Sequence, residues 1–468
     1  MADRGVVRGL VAACLTAALM PLNSTMIAVA VPDIAGDVGH SASTVTQALV
    51  ATYLVAAIAL QSPGGKLGDR LGHWRVFAYG QAAMAVGAIL GYLAPTLAVL
   101  ALSRVLMAAG GAVVVPATLA LIRVELPTER RGRAFGAFGA VMSLAAGIGP
   151  ILGGELVRAF GWPSLFLANL PVLAVSALLA FSADHPRPEK AVHARFDWVG
   201  SVLLTAALTA LVAGLQITGV VGTMVVAAGV GLLVPFAMWE RRVEDPVIAF
   251  SLFRSRTYTA GTLLIALLNL VMYALLFEIP LLLHAVFSLG SEDTGRLLVF
   301  MMLAMVVTSL AAGRLTDRFG SRPLAVAGTL VCIAAVAVMR AGELTSSGEL
   351  RLPLALLGVG IGLATPAAQN ASLSGVAAAS SGMAAGVGST MRYLGGIAGV
   401  VMLGRVVHPD GARHAVLAEH QAALTVFLVT LAVGLVCALL LPSSRRDVRL
   451  LTEEADKRAD GAHQGLLR

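Results

Sequence analysis

Charge is scarce in this chain. Of its 468 residues only 13% are Asp, Glu, Lys or Arg, while 58% are apolar. A soluble domain carries about 25% charged residues, so too little charge is present to cover a water-facing surface. A mean hydropathy of +0.86 agrees, and disordered chains and ordinary soluble enzymes are excluded. Cysteine is also rare: Cys14, Cys332 and Cys437 fall in apolar runs with no metal-like or disulfide-like spacing, and read as small buried hydrophobes. Aromatics make up 5%, too few for the usual pocket for flat cations. No His-rich metal cluster, phosphate-binding loop, nucleotide-binding motif or Ser-His-Asp grouping is found, and no loop is long enough for a catalytic domain. The reading is a non-enzyme without cofactor or metal. The net charge of +7 has no nucleic-acid motif to accompany it.

What the chain does contain is long apolar runs. Fourteen are expected to be helical crossings, at roughly 8–31, 45–63, 76–94, 97–122, 134–157, 164–182, 198–217, 221–239, 257–281, 294–312, 323–341, 352–372, 383–407 and 422–441. About 20 apolar residues span a bilayer, and backbone groups in hydrocarbon must be satisfied within the helix. The continuous runs also differ from the alternating strands of a membrane barrel. The first run reads as a span and not a cleaved signal, because it is too long and Pro21, Asn23, Ser24 and Thr25 interrupt it.

Basic residues supply the orientation. Of the 33 Lys and Arg, 25 fall on the N-terminal side of the expected topology; the opposite side holds Arg158, Arg296, Arg340, Arg351 and Arg413. Both termini are therefore expected in the cytoplasm.

One loop occurs twice. Gly65-Lys66-Leu67-Gly68-Asp69-Arg70-Leu71-Gly72-His73-Trp74-Arg75 is echoed, 248 residues later, by Gly313-Arg314-Leu315-Thr316-Asp317-Arg318-Phe319-Gly320-Ser321-Arg322. A duplicated loop implies two related halves. An offset this long corresponds to seven or eight spans, which leaves two extra spans between halves of six. The expected domains are a six-helix bundle at 1–182, two inserted spans within 183–256, a second six-helix bundle at 257–441 and a tail at 442–468.

The first loop resembles the signature loop of the major facilitator superfamily, and further stretches resemble its fourteen-span drug:proton antiporter branch. Arg104, Gly110 and Pro116 in the fourth span are similar to the branch's Arg-centred motif. Gly136, Gly149-Pro150 and Gly153-Gly154 are similar to its fifth-helix antiporter motif. Phe160-Gly161-Trp162, Asn169-Leu170-Pro171, Phe196-Asp197-Trp198-Val199-Gly200 and Arg392 to Gly399 extend the likeness along the chain.

The resemblance implies an all-α polytopic membrane protein that exports drugs, antibiotics or metabolites across the inner membrane. It would work as a monomer, by proton antiport and alternating access. The two loops (Gly65, Gly68, Asp69, Arg70, Gly72 and Arg75; Gly313, Asp317, Arg318 and Gly320) would act as gates, and the fifth-helix glycines as a bending seal. The partners implied are a small-molecule substrate, protons and the lipid bilayer.

At one position the chain departs from the branch. Asn23-Ser24-Thr25 stands where the branch has Asp-x-Thr, so an amide that cannot titrate near neutral pH replaces the expected acid. Arg104 either belongs to a relay or substrate site or snorkels to the outer surface. Arg392, about ten residues into its span, is a cavity candidate. Glu155 and Glu278 are the remaining acids, each either buried and titrating or at the interface in water. His284 reads as a surface residue near the outer end of the ninth span. Gln61, Gln369 and Asn370 either line a pathway or bond between helices. With arginines as the central charges, neutral or anionic substrates are favoured.

Overall fold

In the computed structural model the described residues are 2–40, 44–45, 47–182, 197–217, 219–244, 246–287, 291–342, 344–377, 380–406 and 413–443. Among them there is no β-strand, and a helix covers each of the fourteen apolar segments. These are α1 (Ala2–Val38), α2 (Thr52–Leu71, entered through a π turn at Gln47–Ala51), α3 (His73–Tyr92), α4 (Leu97–Glu125) and α5 (Thr128–Phe160). After a short helical turn at Ser164–Leu167 come α6 (Asn169–Phe181), α7 (Trp198–Gln216), α8 (Gly219–Glu240) and α9 (Arg256–Phe287). The order ends with α10 (Ser291–Phe319), α11 (Ser321–Ala341), α12 (Arg351–Ser374), α13 (Ser381–Val406) and α14 (Arg413–Leu439).

Among the described residues, eleven helices are long and apolar enough to cross a membrane by length and composition. The expectation from sequence was fourteen crossings. α3, α7 and α13 fall outside the eleven: α3 opens on His73-Trp74-Arg75, α13 is rich in glycine and serine, and α7 qualifies only as the shorter stretch Trp198–Gly214. Many large apolar side chains point outwards, such as Phe181, Leu178, Val220 and Met224. In water that would be costly, but lipid is as apolar as they are.

The chain divides into two compact units. The first comprises Met1–Glu125, Ala145–Ala249 and Ala378–Thr390; the second comprises Leu126–Leu144, Phe250–Ala377 and Met391–Arg468. Within the first, α1 packs on α4 and α6, α4 on α2 and α3, and α7 on α2 and α8. Asp197 caps α7 through a bond from Gly200 N (2.8 Å) and accepts the Trp239 indole N–H of α8 (2.9 Å), so the motif aspartate ties the inserted pair together. Within the second unit, α12 packs on α9, α10 and α11, and α14 on α9 and α11.

The repeated loop has the same backbone in both copies. Gly72, between α2 and α3, has φ of 92°, and Gly320, between α10 and α11, has φ of 90°. Only glycine takes this left-handed region without strain, which is why both copies keep glycine here. The fifth-helix glycines let α5 lie close to its neighbours. In the second unit, a Cβ at Gly136 would come within 2.5 Å of the Ser309 carbonyl oxygen of α10. In the first, one at Gly153 would come within 2.8 Å of Met26 on α1, and one at Gly149 would come closer still to Thr25. The side chain of Pro150 lies outside the described ones, as does that of His284.

Candidate functional site

The densest polar cluster of the first unit surrounds Arg104, which sits in α4 at 1% exposure. Its Nε donates to Leu49 O and its Nη2 to Asn23 O, both at 3.1 Å. The guanidinium lies 4.0 Å from the centroid of the Tyr53 ring of α2, and the Tyr53 hydroxyl donates to Met20 O (2.9 Å). Arg104 therefore points inwards rather than snorkelling. A buried guanidinium needs its donors met; here carbonyl dipoles and a ring face meet them, and among the described residues no carboxylate is paired with it.

Asn23 bridges to the sixth helix. Its Nδ2 donates to Asn169 Oδ1 (2.7 Å), while Asn169 Nδ2 donates to the carbonyls of Leu165 (3.1 Å) and Phe166 (3.0 Å). The amide thus has a built partner, and the substitution for an acid is matched by a neutral acceptor. Asn23, Met26, Ile27, Arg104, Leu165 and Phe166 line a crevice too tight for a water molecule. Gln61 on α2 is fully buried, and neither its amide nitrogen nor its amide oxygen has a hydrogen-bond partner.

In the second unit Arg392 of α13 donates from Nη2 to Gln369 Oε1 of α12 (2.7 Å), and its buried Nε has no partner. Asn370 Nδ2 donates to Ser321 Oγ (3.3 Å). Gln369 and Asn370 thus both bond between helices. The two acids separate sharply. Glu155 is exposed and pairs with Arg158 at 2.5 Å, one turn away on the same helix, so it faces outwards. Glu278 is 1% exposed, and its Oε1 meets His420 Nδ1 at 2.7 Å.

The repeated loops carry matched docks. Asp69 accepts the N–H groups of Gly382 and Met383, both at 2.6 Å, in the first turn of α13, where helix N–H groups lack internal partners. Asp317 accepts those of Gly132 (2.8 Å) and Arg133 (2.9 Å) near the start of α5. Each carboxylate spans two successive N–H groups, a strong arrangement because the acceptor is charged. Gly65 and Gly68 make room for the first dock: Gly65 lies against Gly382, and Gly68 against the His73 ring. In the second, Gly313 lies against Gly132 and Arg133. Arg75 and Arg318 are exposed, Arg318 resting over the Phe319 ring at 5.2 Å, and Arg70 is half-buried.

His73, ahead of the third apolar segment, is 3.6 Å from Asp69. Burial pushes its imidazole down to about 4, so it is neutral at pH 7. An exposed histidine takes up a proton near 6.5. Acidification from about 6.5 towards 4 therefore favours states in which His73 is exposed, and the docked state loses stability across that window. Thermal unfolding of the wild type should fall more steeply over this range than that of His73→Gln; parallel curves would contradict this.

Arg104, Asn23, Asp69 and Asp317, named from the sequence, each make buried or part-buried polar contacts in the structure, and Tyr53 and His420, not named from it, are partners in such contacts. Tyr53 is one of only six tyrosines and lies mid-span. His420 is a histidine close to the start of an apolar run. Both were visible as chemical exceptions, but not as partners.

Comparison with known proteins gives the family. Residues 13–400 match the model of the Major Facilitator Superfamily. An uncharacterized MFS-type transporter of Bacillus subtilis, YvkA, is 31% identical, over 85% of this chain and 90% of its own. The tetracenomycin C resistance and export protein of Streptomyces glaucescens is 32% identical, over 82% and 73%. The fold matches the proton:xylose symporter XylE with a TM-score of 0.68 at 14% identity, over 96% of this chain and all of the other. The chain belongs to the Major Facilitator Superfamily, as a multi-pass membrane transporter and not an enzyme.

Proposed function

We propose that this chain is an export transporter of the inner membrane, moving small organic compounds out of the cell in exchange for protons by alternating access. Its substrates are antibiotics, other drugs or metabolites of neutral or anionic character. The tetracenomycin C exporter among its relatives supports the direction and the substrate class. The observation that carries the reading is Arg104, buried against Tyr53 and two carbonyls with no acid paired to it among the described residues, which leaves a fixed positive charge among packed helices. Arg392, with its unpartnered Nε, supplies a second positive centre.

In this reading the protein crosses fourteen times as a monomer with both termini in the cytoplasm. Two six-helix bundles, 1–182 and 257–441, flank the inserted pair within 183–256, and 442–468 is a cytoplasmic tail. The basic bias and the helical cover of all fourteen segments support it. The two docks, at Asp69 and Asp317, stabilise one gate state and release in the other, and the fifth-helix glycines seal the path.

The test is growth of cells expressing the protein against a panel of antibiotics and dyes, followed by reconstitution with a compound against which it protects. A second reading, a carrier of the same fold with another coupling, is favoured by one observation: Asn23 bonds Asn169 where an acid would titrate. Asn23→Asp places a carboxylate beside Arg104, so the pH of half-maximal export should move, while Asn23→Ala leaves it unmoved. An unchanged profile in Asn23→Asp would remove this position from coupling.

A further inference from the structure

We propose that Glu278 and His420 together are the site that binds and releases the transported proton. The use made of that proton rests on the antiport reading above; the site itself is assigned by its own geometry. The two residues are 142 apart in the chain, on α9 and α14, and meet through a 2.7 Å hydrogen bond at 1% and 2% exposure. Around them the second unit is apolar, including Leu275, Ile279 and Leu282 of α9 and Leu424 and Phe427 of α14. Glu278 Oε2 is buried with no hydrogen-bond partner.

An unmet buried carboxyl oxygen is costly, and more so inside an apolar helix than at a helix end where backbone N–H groups are free. The other buried acids among the described residues sit at helix ends and accept backbone N–H groups, although Asp197 Oδ2 and Glu240 Oε1 also have no partner. Asp197 accepts Gly200 N, Glu240 accepts Ile248 N, and Asp317 accepts two N–H groups. Glu278 alone among them lies inside an apolar helix, with an imidazole as its partner.

Proton counting shows what the pair can do. A carboxylic acid beside a neutral imidazole, or a carboxylate beside an imidazolium, holds the same number of protons and is neutral overall. Loss of one proton leaves a carboxylate accepting from a neutral Nδ1–H imidazole, with net charge −1. A net charge is costly to hold in apolar surroundings, so the two proton counts differ in what environment they suit. The proton leaves when the pair meets water or a cation, and returns before the site closes again. This difference between states is what coupling requires, since a proton bound equally well in both shifts nothing.

The other charged or titratable groups on the packed elements have separate placements. Arg340 of α11 donates from Nε to Thr425 Oγ1 (3.0 Å), and Arg351 of α12 lies over Phe300. Tyr273 lies on α9 against Gly396 of α13, the helix that carries Arg392 and Tyr393. The same elements also carry Arg256, Tyr258 and His284 (α9), Glu292, Asp293, Arg296, Arg314, Asp317 and Arg318 (α10), Arg322 (α11) and Arg413, His414 and Glu419 (α14); the pair's one ionic contact among described residues is the mutual one.

The test is direct proton counting on the full-length protein in lipid nanodiscs, by potentiometric titration from pH 4 to 9, for wild type, Glu278→Gln, His420→Asn and Glu278→Asp. Glu278→Gln should bind one proton fewer per molecule than wild type, whereas His420→Asn keeps the carboxyl and should bind the same number with its release moved in pH. Glu278→Asp, which keeps the acid, should retain the proton and carries the test if the Gln variant does not fold. Titration curves of both variants that overlay the wild type overturn the proposal, as does loss of the proton in Glu278→Asp. Flux measured in proteoliposomes is a separate arm. Gradient-driven flux with an unchanged proton count removes this pair and leaves antiport standing. Gradient-independent flux with the proton lost in Glu278→Gln removes antiport and leaves the pair.

Discussion

Arg104→Ala is expected to reduce export by at least about 100-fold while the protein still inserts and folds. The side chain joins three helices through contacts that only a planar guanidinium can make together: two carbonyls from different segments and the face of Tyr53. Hydrogen bonds from charged donors contribute about 1.5–3 kcal/mol each, and a buried cation over a ring about 2 kcal/mol more. At about 1.4 kcal/mol per tenfold change, loss of the group that fixes charge beside the pathway exceeds two decades. Arg104→Lys separates charge from geometry. The ammonium keeps the charge but cannot span both carbonyls and stack, so activity should fall between wild type and alanine. Initial rates of substrate export, normalised to folded protein by size-exclusion chromatography, are the measurement. Full export by Arg104→Ala would contradict the site.

The second large effect is expected from the docks. Asp69→Asn keeps the shape of the side chain but replaces one accepting oxygen by an NH₂ group, which cannot accept from Gly382 or Met383. One charge-assisted bond is lost and a donor is turned against another donor, for about 2–4 kcal/mol against the docked state. The balance between docked and undocked forms should therefore shift by about 30- to 1,000-fold. Asp317→Asn loses the equivalent bonds to Gly132 and Arg133 and should shift its own dock comparably. Accessibility of a single cysteine introduced at Ser381 reads the first dock, and one at Glu129 the second. Faster labelling in the Asn variants is expected. Rates equal to wild type in both would show that the docks do not hold the helices.

Much of the site could be read from sequence because it departs from an apolar background. In a chain with 13% charged residues, each arginine or acid inside a run needs a reason, and Arg104, Glu278 and Arg392 stood out on that ground. The docks were legible as a pair because Asp-Arg and its flanking glycines recur in register, while the helix ends that meet the two aspartates were not. The partners were harder to see. Tyr53 meets Arg104 across two helices and His420 meets Glu278 across 142 residues, and no local spacing encodes such contacts. Glu155 and Glu278 look alike in sequence, both acids in outer halves of spans. Which one faces inwards depends on helix rotation within a unit, and α5 turns Glu155 out towards Arg158. The helices themselves were legible from hydropathy. Their ends and crossing capacity were less so, because runs such as α3 and α13 mix glycine, serine and histidine into otherwise apolar stretches.

The central claim, export in exchange for protons, is tested most directly by reconstituting the purified protein in liposomes and measuring substrate flux with and without an imposed pH gradient. Substrate should accumulate against its own gradient when the proton gradient is present, with matching proton movement in the opposite direction. Collapse of the pH gradient should abolish that accumulation. Equal accumulation with the gradient collapsed, or flux without counter-movement of protons, would contradict it.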